Sequence, residues 1–288
     1  MKYIIILLSF LIFGCSHPSP KLRIGCKNFT EQLILGEIVS GIIQQNTPEI
    51  PIEKKWGFGS TPLIHQALVS GEIDLYLEYT GTAEQLILKS EKKLSLEEIS
   101  QSYQKQFHAR WLPSLGFSNG YVLVVRADSP LPPKLSQSPS MASTLKAGMN
   151  AEYANRPDGF PLLQKIYGLH FASITNLDVG LLYPALDSRK IDLISGFATD
   201  AKLSSSHYRI LEDDLGISPR YEPAPVVHLE ALQKFPSLEK TLLMLSGIIT
   251  EKTMQKLNAQ VEIDHQTPAE VAQNFLKTNL TQRHDDAK

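Results

Sequence analysis

Glu72, Asp74 and Glu78 crowd one short stretch of the chain, and carboxylates that close could work as general acid and base. The stretch is written twice, however: HQALVSGEIDLYLEYTGTA from His65 to Ala83 returns as YPALDSRKIDLISGFATDA from Tyr183 to Ala201. Asp74 is mirrored by Asp192 in the second copy, which points to a turn-building role rather than to proton transfer. His65, His108, His170 and His228 lie far apart, without the spacing of metal ligands, and no nucleophile elbow, P-loop or HExxH occurs. No enzyme, metal site or cofactor is therefore expected. What both copies deliver is an aromatic, Tyr79 in one and Phe197 in the other, at the end of a run that reads as a buried strand. Open α/β sheets bind ligands beyond the carboxyl ends of their strands, so one ring from each copy is expected to face a shared cleft.

The elements that must position these rings repeat the same rhythm. LRIGC (22–26) reads as a strand, and Thr30 is expected to cap a helix that places Ile34, Leu35, Ile38, Val39, Ile42 and Ile43 on one face. A strand at 52–56, a Gly-Phe-Gly-Ser turn and a helix through Leu63, Ala67 and Leu68 lead to the first copy, with its strand at 73–77. Residues 84–109 read as helical, with Ser95 as a cap. YVLVVR (121–126) is a strand, and the Pro- and Ser-rich run 127–144 has the composition of a loop or linker. Strands at 145–149 and 172–175 alternate with a helix that starts at Pro157 or Asp158 and ends at Tyr167. A helix at 181–186 and the second copy's strand at 191–194 follow. A strand at 208–211, the run APVVHL (224–229) and helices up to Leu276 complete the chain.

This alternation predicts an α/β fold of two lobes, each a mainly parallel sheet flanked by helices. Lobe one is expected to span 22–122 and to resume at 223–282, a helical return segment, with lobe two at 123–222 and a tail at 283–288. The strands 121–126 and 224–229 are read as two crossings, a two-segment hinge that would let the lobes close on a ligand.

At 288 residues the chain is long enough for about two domains at roughly 150 residues each. A net charge of −2, with no run of Lys or Arg, gives no footprint for nucleic acid. Residues 1–15 read as a lipoprotein signal peptide: Met1-Lys2, an apolar run too short to span a bilayer, then Ile12-Phe13-Gly14-Cys15, which resembles a lipobox although Phe13 is bulky for its place. Cys15 would carry the lipid, and 16–21 would be a tether. An ordinary secretory signal is the alternative. With Cys15 lipidated, Cys26 has no partner for a disulfide and is expected to be a small buried hydrophobe.

The segments GCKNFTEQLILGEIVSGII, GEIDLYLEYTGTA, LGFSNGYVLVVR, NRPDGFPLLQKIYGL, GLLYPALDSRKIDLISGFATDA, LEDDLGISPRYEPAPVV and KLNAQVEID resemble, in this order, the substrate-binding proteins of glycine betaine/carnitine/choline ABC importers. The resemblance covers residues 22 to 280. It implies a type II periplasmic-binding-protein fold, a monomer that closes on a quaternary ammonium solute and delivers it to an ABC permease with its ATPase subunit. It further implies export, with the lipid anchor holding the protein in the periplasm or on the outer face of the cytoplasmic membrane.

A trimethylammonium group has no N–H to donate, so the device open to a protein is a cage of aromatic faces, each worth ~0.5–2 kcal/mol. Four rings then supply roughly 2–8 kcal/mol, against about 8 kcal/mol for micromolar affinity. The resemblance places this cage on Tyr79, Tyr121, Phe197 and Tyr221, with Phe197 standing where many relatives carry Tyr. It sets the polar end of the solute against Lys27, with Thr82 and Asn119, and Asn28 as a neighbour. A cation at position 27 beside a helix N-terminus favours a carboxylate and hence a betaine over choline, unless Lys27 is a solvated surface lysine. Arg156 either reaches the cleft or braces its loop with Asp158. Phe197, and Cys26 in place of the usual Ser, leave other solutes open, carnitine or a larger betaine such as ergothioneine. A ligand-sensing lipoprotein would have the same cleft.

Overall fold

The computed structural model describes residues 20–90 and 92–286. Cys15 and the signal segment lie outside them. Among the described residues, ten strands form two five-stranded sheets. The first is built from β1 (Leu22–Lys27), β2 (Ile52–Phe58), β3 (Leu75–Tyr79), β4 (Ala109–Trp111) and, returning from far along the chain, a strand at Pro223–His228. The second is built from β5 (Tyr121–Arg126), β6 (Lys146–Met149), β7 (Ser173–Asn176), β8 (Leu193–Phe197) and β9 (Tyr208–Ile210). With the returning strand as β10, the spatial orders are β2-β1-β3-β10-β4 and β7-β6-β8-β5-β9. The two sheets are therefore wired alike, and each contains one reversed strand: β10 is antiparallel to β3 and β4, and β5 to β8 and β9.

The duplicated motif does the same work in both sheets. Asp74 Oδ2 accepts the backbone N–H of Arg23 at 2.8 Å, and Asp192 Oδ2 accepts that of Lys146 at 2.8 Å. Each Asp returns a backbone bond to the same residue. The two aspartates thus fasten a strand to its neighbour. Gly25 and Gly148 sit where the preceding residue of the motif needs space: a Cβ on Gly25 would come within 2.6 Å of Ile73, and one on Gly148 within 2.7 Å of Ile191.

The crossings lie elsewhere than the sequence suggests. β5 belongs wholly to the second sheet and β10 to the first, so each lobe change is completed before its strand begins. The connecting stretches 112–120 and 212–222 run side by side: the Asn119 N–H donates to the Tyr221 carbonyl at 2.9 Å, and the Leu115 N–H to that of Pro223, the first residue of β10, at 3.0 Å. The Pro/Ser-rich run 127–144 is no linker either: Leu131, Leu135 and Ala142 are buried in the core of the second lobe. β4 was not foreseen, because its three residues follow directly on the helix Leu96–Phe107. The last helix runs on from Pro268 to Asp286, past the expected start of a tail.

The long helix Thr30–Asn46 packs its apolar face on the first sheet, with Ile34, Leu35, Ile38, Val39, Ile42 and Ile43 all buried. At roughly 1.5–3 kcal/mol per buried aliphatic side chain, this face is a principal source of the lobe's stability. Its N-cap is Phe29 rather than Thr30, and no side chain caps it. Among the described residues no helix is long and apolar enough to cross a membrane.

Candidate functional site

All nine residues singled out from the sequence line one cavity of about 310 Å³. Lys27 and Asn28 come from the end of β1, Tyr79 and Thr82 from the end of β3, Asn119 from the crossing, Tyr121 from β5, Arg156 from the loop before the helix Phe160–Tyr167, Phe197 from the end of β8, and Tyr221 from the second crossing. Strand ends and crossings of both sheets thus converge on one space.

Register accounts for the rings. Tyr121 and Phe197 are direct cross-strand partners on antiparallel β5 and β8, which brings their centroids to 4.8 Å with a 34° tilt. Tyr153 stacks behind Tyr121, also at 4.8 Å. Burial pushes the Tyr121 hydroxyl up to about 12, so it stays neutral. On the other side, Tyr79 donates its hydroxyl to Glu31 Oε1 at 2.6 Å. Tyr221 receives Arg156 Nη2 at 3.0 Å and donates to Asp158 at 3.3 Å. With both hydroxyls engaged by protein, these tyrosines offer a solute their rings. Gly81 makes the placement of Tyr221 possible, since a Cβ there would lie 2.8 Å from its ring.

Lys27 is not a solvated surface lysine. It is 7% exposed, its Nζ lies 2.7 Å from Glu78 Oε1 and 5.5 Å from the centre of the Tyr79 ring. Glu78 is fully buried; burial holds its carboxyl above the usual range, with Lys27 pulling it back. Arg156 both reaches the cavity and braces its loop. Its guanidinium bonds Asp158 at 3.0 and 2.9 Å and Glu152 at 2.7 Å, and it also meets Gln85 of the first lobe. Burial raises Asp158, but Arg156 and Gln85 outweigh it, so the carboxyl sits below its ordinary value. Both cations of the cavity wall are thus neutralised in place, and neither repels a cationic guest.

Several residues of the site escaped sequence reasoning. Glu152, Ser60, Thr61, Leu86 and Phe29 line the cavity as well, and Phe29 stays 41% exposed while stacking against Tyr79. Phe29 and Glu31 lie inside the KNFTEQ segment and could have been drawn from it. Cys26, by contrast, lines no part of the cavity; it is buried, and burial pushes its thiol up to about 12. Among the described residues no cluster of His, Cys, Asp and Glu could hold a metal ion.

The family of substrate binding domains of ABC-type glycine betaine transport systems matches residues 20–278. The chain belongs to that family. Its relatives include the ergothioneine transport permease/ergothioneine binding protein of Helicobacter pylori, 36% identical over 89% of this chain; the chain spans about half (47%) of that protein's length. The carnitine transport binding protein of Listeria monocytogenes is 31% identical, covering 94% of this chain and 92% of its own. A glycine-betaine-binding protein of Pseudomonas aeruginosa is 34% identical over 89% and 87%. Among solved structures, that of a glycine betaine/carnitine/choline ABC transporter superposes with a TM-score of 0.84 at 28% identity, covering 90% of this chain and 98% of the other. The closed-liganded lactococcal glycine betaine complex shares the fold alone, at 14% identity and a TM-score of 0.59. The two sheets are the two lobes of the type II periplasmic-binding-protein fold, and the family consists of solute-binding transport proteins.

Proposed function

We propose that this chain captures a quaternary ammonium solute between its lobes, with the cation in a cage of Tyr79, Tyr121, Phe197 and Tyr221, and presents the closed form to an ABC permease. The observation that supports the reading is convergence: residues picked from separate motifs line a single cavity whose cations are already ion-paired. At about 310 Å³ the space sits at the small end of ligand pockets, roughly 300–1,000 Å³, which suits a betaine. Desolvated rings attract a cation without needing a hydrogen bond from it.

The polar end of the solute meets Asn28, Thr82, Asn119 and Lys27. Glu78 occupies one N–H of Lys27, and an ammonium group has three, so Lys27 keeps donors for a carboxylate. Its pairing with Glu78 makes it a hydrogen-bond donor more than a free charge. A betaine therefore remains favoured over choline, by a smaller margin than an unpaired lysine would give.

A larger betaine is the second reading. The relative that pairs permease with ergothioneine binding is 36% identical to this chain, and the exposed apolar side chains of Phe29 and Leu86 at the cavity wall offer a surface to a ring-bearing tail. In either case the chain acts as an exported monomer, held by lipid on Cys15, working with a permease and its ATPase subunit.

Isothermal titration of the protein lacking residues 1–15 against glycine betaine, carnitine, ergothioneine and choline, with proline as a control lacking a quaternary nitrogen, tests this. Tight binding of one betaine and no response to proline is expected. Silence toward every quaternary amine would mean that the cleft serves another class of solute.

A further inference from the structure

Glu31 is 2% exposed and lies in the seam between the lobes, where each of its oxygens is used twice. Oε1 accepts from the Tyr79 hydroxyl at 2.6 Å and from Asn119 Nδ2 at 3.1 Å. Oε2 accepts from the Thr199 hydroxyl at 2.6 Å and from Asn258 Nδ2 at 3.4 Å. The donors come from the end of β3, from the first crossing, from the loop after β8 and from the helix Glu251–Glu262. Thr199 lies just past the cage ring Phe197. The same helix grips that loop twice more, through Gln255 Nε2 on the Ala198 carbonyl and Asn258 Nδ2 on the Thr199 carbonyl, both at 2.8 Å.

We propose that Glu31 is the positioning residue of the cage. One oxygen orients the Tyr79 ring in the first lobe, and the other holds, through Thr199, the loop that directly follows Phe197 in the second. Rings from both lobes are thereby aligned against a single carboxylate. The proposal rests on the cage being the solute site. Only an ionised carboxylate can serve four donors at once, because it offers about four acceptor positions and no hydrogen. A glutamine must turn its NH₂ toward one pair, where it faces the Asn amide donor to donor and is accepted by the hydroxyl only if that hydroxyl gives up its own donated bond, so one half of the arrangement is weakened whichever way the amide lies.

Titration of glycine betaine, alongside thermal unfolding of the free protein lacking residues 1–15, tests this with three variants. Glu31→Gln is expected to weaken binding about tenfold or more, the scale of one lost hydrogen bond to a charged acceptor. Thr199→Val keeps the shape of the side chain and loses the hydroxyl; the same tenfold loss is expected with little change in Tm. Thr199→Ser keeps the hydroxyl and should bind within about twofold of wild type. Wild-type affinity in Thr199→Val, or equal losses in the Ser and Val variants, would overturn the proposal, since a packing role favours Val over Ser. Should Glu31→Gln fail to fold, the Thr199 pair decides alone. Silence of the wild type toward all quaternary amines is a distinct result, which removes the cage reading and this inference with it.

Discussion

The two copies of the duplicated motif solve one problem with different chemistry. In both, the shared Asp pins a strand and a strand delivers a ring to the cleft. In both, a carboxylate also accepts the ring residue's own N–H: Glu78 holds Tyr79 at 2.8 Å, and Asp200 holds Phe197 at 3.0 Å. The carboxylates come from different positions, however, one before the ring and one after it. Glu78 is balanced by an ion pair with Lys27, Asp200 by the Tyr183 hydroxyl at 2.9 Å. The cross-strand partner differs too, Pro223 opposite Tyr79 and Tyr121 opposite Phe197. Strand placement is what the duplication preserved, while each lobe found its own way to fix its ring.

The largest expected effect breaks the charged version of this arrangement. Lys27→Met leaves Glu78 buried without a counter-ion and should cost about 3–5 kcal/mol in urea unfolding. Adding Glu78→Gln should restore much of that loss. Asp200→Asn, whose partners are neutral, should cost only about 1–2 kcal/mol; equal losses at the two sites would erase the distinction.

The aspartates sharpen the comparison further. Asp74 also takes Arg23 Nε at 2.9 Å and Nη2 at 2.6 Å, whereas the Asp192 side chain, among the described residues, takes a backbone N–H alone. Asp74→Ala should therefore destabilise by about 2–3 kcal/mol and Asp192→Ala by about 1 kcal/mol. For the rings, Tyr79→Ala should weaken binding of a betaine by up to about thirtyfold, while Phe197→Tyr should change it little.

Smallest is a pH effect. Asp158 sits below its ordinary value of 3.8, so its stabilisation is present above that value and lost as pH falls through the lower folded one. Glu31, Glu78 and Asp200, held high by burial, act in the opposite direction, since their burial costs most when they are ionised. The stability difference between wild type and Asp158→Asn should accordingly hold above about pH 4 and shrink as the pH falls below about 3.8, when measured by Tm.

The sequence carried the strands because their apolar runs are local, and it carried the rings because they fall inside motifs. It did not carry the partners. Lys27 could be read as solvated because Glu78 is 51 residues away, and Gln85 gave no hint of meeting Asp158, 73 residues on. Such pairs form only once the lobes are assembled, and no periodicity records them. The crossings were misplaced for a related reason: stretches without regular pattern, 112–120 and 212–222, looked less like connections than the apolar strands beside them.

The side-by-side crossings also set how force travels through the molecule. The first described strand and the last helix both belong to the lobe built on the first sheet, and the chain reaches the other lobe and returns through one narrow, hydrogen-bonded pair of segments. A pull on β1 therefore enters the first lobe directly and reaches the second through that pair of segments and the hydrogen bonds across the seam, Thr199 to Glu31 and Gln85 to Asp158 among them.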